Sequence, residues 1–138
     1  MPPRVYVETS VISYLAARPS RDLITTARQQ ITHEWWRRRR PNFEVFVSQL
    51  VLDEARAGDP DAATRRAKLL ANLPLLDITS VSVGLARRLI GVDYLLTWNA
   101  AHIANAECRP RAERTCRAHG YEPPVLCTPD ELMGEQTT

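Results

Sequence analysis

The sequence predicts an α/β domain built on a mostly parallel central sheet, and three observations carry that expectation. Short apolar, β-rich runs recur along the chain, among them Val5-Tyr6-Val7, Val45-Phe46-Val47 and Leu95-Leu96. Such runs suit strands buried on both faces. Stretches with helical spacing and capping residues separate them, and strands alternating with helices favour parallel pairing. Finally, 138 residues with 44% hydrophobic and 25% charged composition match one ordinary globular domain spanning 1–138, with no repeat, linker or low-complexity tract.

Arg4 to Glu8 reads as the first strand, and Thr9-Ser10 offers hydroxyls to cap a helix carrying Val11, Ile12, Tyr14 and Leu15. Pro19-Ser20 breaks that helix, and Ser20 can cap the next. The second helix is expected from about Asp22 through Trp36, with Leu23, Ile24, Ala27 and Ile31 forming its apolar stripe. Pro41-Asn42 ends it, and Phe43 to Val47 is the second strand. Ser48 is placed as an N-cap for a helix from Leu50 to Ala57, which Gly58 closes. Asp59-Pro60 opens a further helix to about Asn72. Leu75 to Ile78 is expected as a strand, Val81 to Ile90 as a helix capped by Thr79 or Ser80, and Val92 to Thr97 as the next strand. A helical region with its main part from Arg109 to His119, a strand over Pro124 to Cys127 and a short helix beginning at Thr128-Pro129 complete the order.

The composition narrows the function classes. After Met1-Pro2-Pro3-Arg4 the chain enters a strand-like run too short for a signal h-region, and no apolar stretch approaches the roughly 18–20 residues of a membrane span. A cytoplasmic protein with no membrane partner is the expectation. Three cysteines, Cys108, Cys116 and Cys127, make no disulfide framework, and the spacing of Cys108, Cys116 and His119 matches no common zinc pattern. The net charge of +2 is too small to imply a nucleic-acid partner, so charge placement matters more than the total. The run Arg37 to Arg40 beside Trp35-Trp36 has two readings: cations complementing a helix C-terminus, or a surface for phosphates and stacked bases.

In open parallel sheets ligands collect beyond the carboxyl ends of the strands. Glu8 and Asn99 fall at such ends, where two oxygen donors can hold Mg²⁺ or Mn²⁺, or merely cap the helices that follow. Glu54 shares a helical face with Leu50, Val51 and Ala57, where a carboxylate is costly unless metal-bound, hydrogen-bonded or paired with an arginine. Neighbouring Asp53 points elsewhere, into solvent.

Glu8-Thr9-Ser10-Val11, Ser48 to Glu54, and Leu95-Leu96-Thr97-Trp98-Asn99 followed by His102-Ile103-Ala104-Asn105-Ala106 together resemble the PIN-domain ribonucleases, specifically the VapC-like toxins of toxin–antitoxin systems. The resemblance covers nearly the whole chain. It implies a three-layer α/β/α fold and an acidic cluster binding Mg²⁺ or Mn²⁺ that activates water against an RNA phosphodiester. By this resemblance Glu8 takes the place of the first acid, usually Asp, and Glu54 that of the second. Asn99 stands where the family has its fourth acid, and Thr9 and Ser10 match hydroxyls that orient the cluster. The family's third acid lies in a helix just before a Gly-Val-Asp-Tyr strand. Here Ala86 to Ile90 runs directly into Gly91-Val92-Asp93-Tyr94, so the fold is expected to be shortened by one helical segment and its acid. Asp93 begins its strand, at the end opposite Thr97, and Asp77 is likewise early. Neither replaces the missing acid.

The resulting expectation is a metal-dependent endoribonuclease impaired by an incomplete site, with Glu8, Glu54 and Asn99 as catalytic and metal-binding residues. An RNA substrate, a cognate antitoxin and a homodimer partner go with it. The alternative is a non-catalytic PIN-like protein that binds an antitoxin or RNA without cleaving. A generic nucleotide-binding domain is disfavoured, because Thr9-Ser10-Val11 stands where a glycine-rich phosphate loop would follow the first strand.

Overall fold

The computed structural model describes residues 2–75, 92–99, 114, 118 and 125–134. Among them four strands form one all-parallel sheet: β1 (Arg4–Val7), β2 (Glu44–Phe46), β3 (Tyr94–Leu96) and β4 (Val125–Cys127), in the order β2-β1-β3-β4. Helices α1 (Thr9–Ala16) and α2 (Leu23–Arg38) lie between β1 and β2 in the chain, and α3 (Gln49–Ala55) and α4 (Pro60–Leu70) follow β2. The α/β class and the parallel sheet expected from the sequence are therefore present.

The order of the sheet follows from the side chains. Val5 and Val7 are fully buried and Tyr6 nearly so, which only a strand covered on both faces allows, and β1 accordingly has a neighbour on each side. β2 and β4 carry the exposed residues Glu44 and Val125, as outer strands of the described sheet can. In register, Val5 lies opposite Val45 on one side and Tyr94 on the other, and Leu95 opposite Leu126. Asp93 ties the amino ends together: its carboxylate accepts from Arg4 N at 2.8 Å, and its own N–H donates to Arg4 O. Asp93 thus lies at the end of the sheet away from Thr97, as expected.

The core is one cluster in which Ile12, Val47, Val51 and Leu96 pack around β1. Trp35 of α2 is fully buried, stacks on Phe43 at 5.7 Å between centroids, and donates Nε1–H to Leu132 O at 3.1 Å. That bond pins the C-terminal turn against α2. No helix forms there among the described residues: Leu132 N closes single turns on Thr128 O and Pro129 O, which corrects the short terminal helix expected from Thr128.

Helix boundaries depart from expectation where side chains compete for the caps. Glu8, not Thr9 or Ser10, is the N-cap of α1, its carboxylate accepting from Ser10 N. Asp22, not Ser20, caps α2 by accepting from Thr25 N, while Ser20 Oγ accepts from Asp22 N. Ser48 and Asp59 cap α3 and α4 as expected, with Pro60 in the first turn of α4. Gly58 stands at φ +84° in the connection between α3 and α4, a conformation that costs side-chain-bearing residues more than glycine.

The largest departure concerns α2. Most of its expected stripe is open: Leu23 is 85% and Ile24 68% exposed and Ala27 is exposed too, while Ile31 is half-buried. The buried residues are Gln29, Thr32 and Trp35, because this helix must close the polar loop that follows α1. Gln29 Oε1 accepts from Ser20 N and its Nε2 donates to Arg18 O, both at 3.0 Å, while Thr26 Oγ1 donates to Ser20 O. Main-chain groups left unmet by helix or sheet need such partners.

Leu75 makes an isolated parallel bridge to Val47, where a strand was expected to begin. The rest of that strand, the helix from Val81 to Ile90 with its capping residues, and most of the helical region from Arg109 to His119 lie outside the described residues, although Arg114 and Ala118 are helical. The same is true of Asp77, Cys108, Cys116 and His119. No described helix is long and apolar enough to cross a membrane.

Candidate functional site

The junction of β1 and β3 at their carboxyl ends brings two of the residues singled out in the sequence, Glu8 and Ser10, together with Thr97. Val7 pairs with Leu96, and Glu8 N–H donates to Leu96 O at 3.0 Å, so Glu8 leaves the sheet beside Thr97. The α1 turn that begins there carries Ser10 back over the same point.

The Glu8 carboxylate is half-buried and accepts three hydrogen bonds. Oε2 accepts from Ser10 N at 3.0 Å, and Oε1 accepts from Ser10 Oγ and Thr97 Oγ1, each at 2.5 Å. A hydroxyl has one proton to donate, so both protons are committed to Glu8. The 3.3 Å approach of Ser10 Oγ to Thr97 Oγ1 is then a contact between two acceptors rather than a hydrogen bond. Main-chain donors fill those acceptors: Trp98 N donates to Ser10 Oγ at 2.8 Å and Asn99 N to Thr97 Oγ1 at 2.9 Å. Each member of the network is thereby held by the next.

Thr97 and Trp98 are the residues that sequence reasoning missed. Thr97 is fully buried, and the sequence showed it only as a strand end and a member of the Leu95-to-Asn99 motif, with no role of its own. Register with β1 is what turns it toward Glu8. Trp98 anchors the site to α2: Nε1 donates to Thr32 Oγ1 at 2.8 Å, and Thr32 Oγ1 donates to Arg28 O. Tyr14 meets the Trp98 ring edge-on at 5.9 Å, and the Arg28 guanidinium lies 5.4 Å from its centroid.

Asn99 is exposed next to this network and reaches it through its main chain. Glu54 is a different case. α3 buries Val51 and Ala55, whereas Leu50 is 45% exposed and Ala57 is exposed, so the face carrying Glu54 is open. The cost of burying a carboxylate, the argument that singled Glu54 out, does not arise. No hydrogen bond or ion pair joins its side chain to Glu8 or Asn99 among the described residues. Asp53 is exposed as expected and accepts from Gln49 Nε2. Thr9, proposed to orient the cluster with Ser10, makes no side-chain hydrogen bond to Glu8 in this network.

No family model matches the chain, and neither a curated protein nor a solved structure matches it. What the site can do therefore rests on its own geometry.

A carboxylate has about four lone-pair sites. Three are used among the described residues, leaving one position on Oε2 of Glu8 for an outside cation or donor. Among the described residues no group of three His, Cys, Asp or Glu side chains stands together as a metal cluster. The basic run offers no open cationic strip either. Arg37 and Arg38 are exposed on the last turn of α2, with Arg38 paired to Glu34 at 3.0 Å. Arg39 and Arg40 are half-buried over the rings of Phe43 and Trp36, at 5.4 and 4.6 Å. The helix-terminus reading accounts for the first two and aromatic packing for the others.

Proposed function

We propose that this protein is a PIN-like, metal-dependent endoribonuclease of the VapC-like toxin kind, with activity limited by an incomplete set of acids. The observation that carries the reading is the Glu8 carboxylate, oriented by Ser10 and Thr97 at the carboxyl end of a central parallel strand. That is where open α/β sheets gather ligands. The donors the resemblance assigns, a Glu8 oxygen with the Asn99 and Glu54 side chains, are hard oxygens of the type Mg²⁺ or Mn²⁺ prefers, so the donor chemistry fits the ion, although among the described residues no hydrogen bond or ion pair joins Glu54 to the other two. Bound there, the ion would supply positive charge to the scissile phosphate and acidify a water. Ser10 and Thr97 fix the orientation of the Glu8 carboxylate, and Trp98 holds the end of β3 against α2.

The set holds two anions where the resemblance implies four acids, and slow cleavage follows. Structured RNA incubated with Mn²⁺ should be cut weakly by the unmodified chain and not at all by Glu8→Gln. Cleavage that persists in Glu8→Gln would overturn the assignment. A cognate antitoxin and a second copy of the chain are the proposed partners, and the open apolar turn at Leu23 and Ile24 is the proposed surface for them.

One observation favours the non-catalytic reading: three of the four acceptor positions of Glu8 are already filled by its own helix and neighbouring strand. On that reading Glu8 is an N-cap. Glu8→Gln would then lower stability while leaving RNA binding unchanged and cleavage absent throughout.

A further inference from the structure

We propose that the outer edge of β2 is a docking site for an extended acidic segment of a partner protein, which adds to the sheet as a strand and sets a carboxylate against Arg40. The inference stands apart from the nuclease reading.

The main chain of β2 gives the first part of the argument. Glu44 N–H donates inward to Pro3 O, and Val47 N–H donates outward to Pro74 O. Along a parallel strand the N–H and C=O of one residue turn the same way and alternate from residue to residue. Val45 therefore turns its donor and acceptor away from β1, and neither has a partner among the described residues. An unpaired strand edge is a template for another extended chain.

The surroundings give the second part. A cleft of about 560 Å³ opens on this edge between β2 and the turn that ends at Pro74, with Phe43, Phe46, Leu73 and Pro74 as apolar walls. It is closed at one end where Val47 already bonds to Pro74 and bridges to Leu75. A short segment is what fits.

Charge gives the third part and selects the occupant. Arg40 lines the cleft and its guanidinium is held 4.6 Å from the centroid of Trp36. Its Nε is buried without a hydrogen-bond partner, and it makes no ion pair among the described residues. Glu44, the acid at the cleft, faces Arg4 at 3.7 Å instead. A carboxylate entering here meets a cation already positioned and partly stripped of water, which lowers the cost of ordering the pair. A peptide can offer that carboxylate and the main-chain donor and acceptor for Val45 together.

The probe is the peptide acetyl-Thr-Val-Glu-Val-Thr-amide, titrated to millimolar concentration into the full ¹⁵N-labelled chain, with a Lys-for-Glu peptide as control. The proposal expects saturable shifts at the amides of Phe43, Val45 and Leu73 with the Glu peptide and not with the Lys peptide. Arg40→Gln, which retains a stem over Trp36, should weaken the Glu peptide roughly tenfold, as loss of a charged hydrogen bond does. Arg40→Glu should transfer the preference to the Lys peptide. An absence of shifts overturns the proposal, as does an equal response to both peptides. Shifts of the same amides on raising protein concentration without peptide also overturn it, because a second copy is then the occupant. If Arg40→Glu does not fold, seen as collapsed amide dispersion, the Arg40→Gln result alone decides.

Discussion

Replacing Thr97 with valine removes one hydroxyl at a fully buried position and tests the network around Glu8 directly. Two bonds go: the one Thr97 donates to Glu8 Oε1 and the one it accepts from Asn99 N. A hydrogen bond to a charged acceptor contributes about 1.5–3 kcal/mol net. Asn99 is exposed, so its freed N–H passes to water at little cost. Against these losses, the buried methyl that replaces the hydroxyl returns up to about 0.8 kcal/mol. The expected net loss is about 1–2 kcal/mol. With a urea slope of about 2 kcal/mol per molar, the midpoint should fall by roughly 0.5–1 M. Urea titration followed by tryptophan fluorescence reads it, and an unchanged slope shows that only stability moved. The cycle with Glu8→Ala supplies the control: once the carboxylate is gone, Thr97→Val should lose most of its effect. Full additivity of the two substitutions, or a midpoint that does not move, would refute the network.

Three further outcomes follow from single sites. The main-chain and side-chain hydrogen bonds from Thr25 hold the Asp22 carboxyl below its usual range. Its contribution is complete above the unfolded carboxyl pKa and is lost as pH falls through the lower folded one, so melting curves of Asp22→Ala and the parent should converge in acid. Burial, then the charges of Glu131 and Asp130, push the Cys127 thiol up to about 12. Folded chain at pH 8 should therefore leave Cys127 unmodified by iodoacetamide in peptide mass mapping, with reaction appearing in denaturant; stability from this group falls only as pH rises from the unfolded thiol pKa toward that value. Leu23→Glu and Ile24→Glu together should abolish any self-association seen in sedimentation while changing stability by no more than about 0.5 kcal/mol, since both side chains are exposed in the first turn of α2, where a negative charge suits the helix dipole.

The fold was legible where local pattern and burial agree. Val5-Tyr6-Val7 and Leu95-Leu96 are apolar throughout because the sheet covers them on both faces, and Ser48 and Asp59-Pro60 act as the sequence suggests because capping is local. α3 already ends at Ala55, capped by Arg56, so Gly58 makes the left-handed turn beyond it rather than closing the helix at Ala57. α2 misled for the opposite reason. Its apolar residues form the more hydrophobic stripe, but the loop from Arg18 to Ser20 needs hydrogen-bond partners, and Gln29 and Thr26 supply them. Polar satisfaction set the rotation of the helix, and periodicity does not report on it. Glu54 misled in the same manner, since its apolar neighbours Leu50 and Ala57 turned out to be exposed.

The site divides along the same line. Glu8 was visible because it falls at the carboxyl end of a strand, where open parallel sheets collect ligands, and Ser10 because a cap and an orienting hydroxyl occupy the same place. Thr97 was visible as a strand end and part of a motif but without a role, since that role depends on the register of β1 against β3, which no local signal encodes. The two readings of Glu8, helix cap and ligand, also cease to be alternatives at the level of atoms. Ser10 N on Oε2 is the cap, and the hydroxyls on Oε1 saturate that oxygen, so whatever the carboxylate binds from outside must approach Oε2 alone. A bidentate grip on a cation would require Ser10 or Thr97 to let go first. The bonds that orient the acid therefore limit how tightly it can hold a metal.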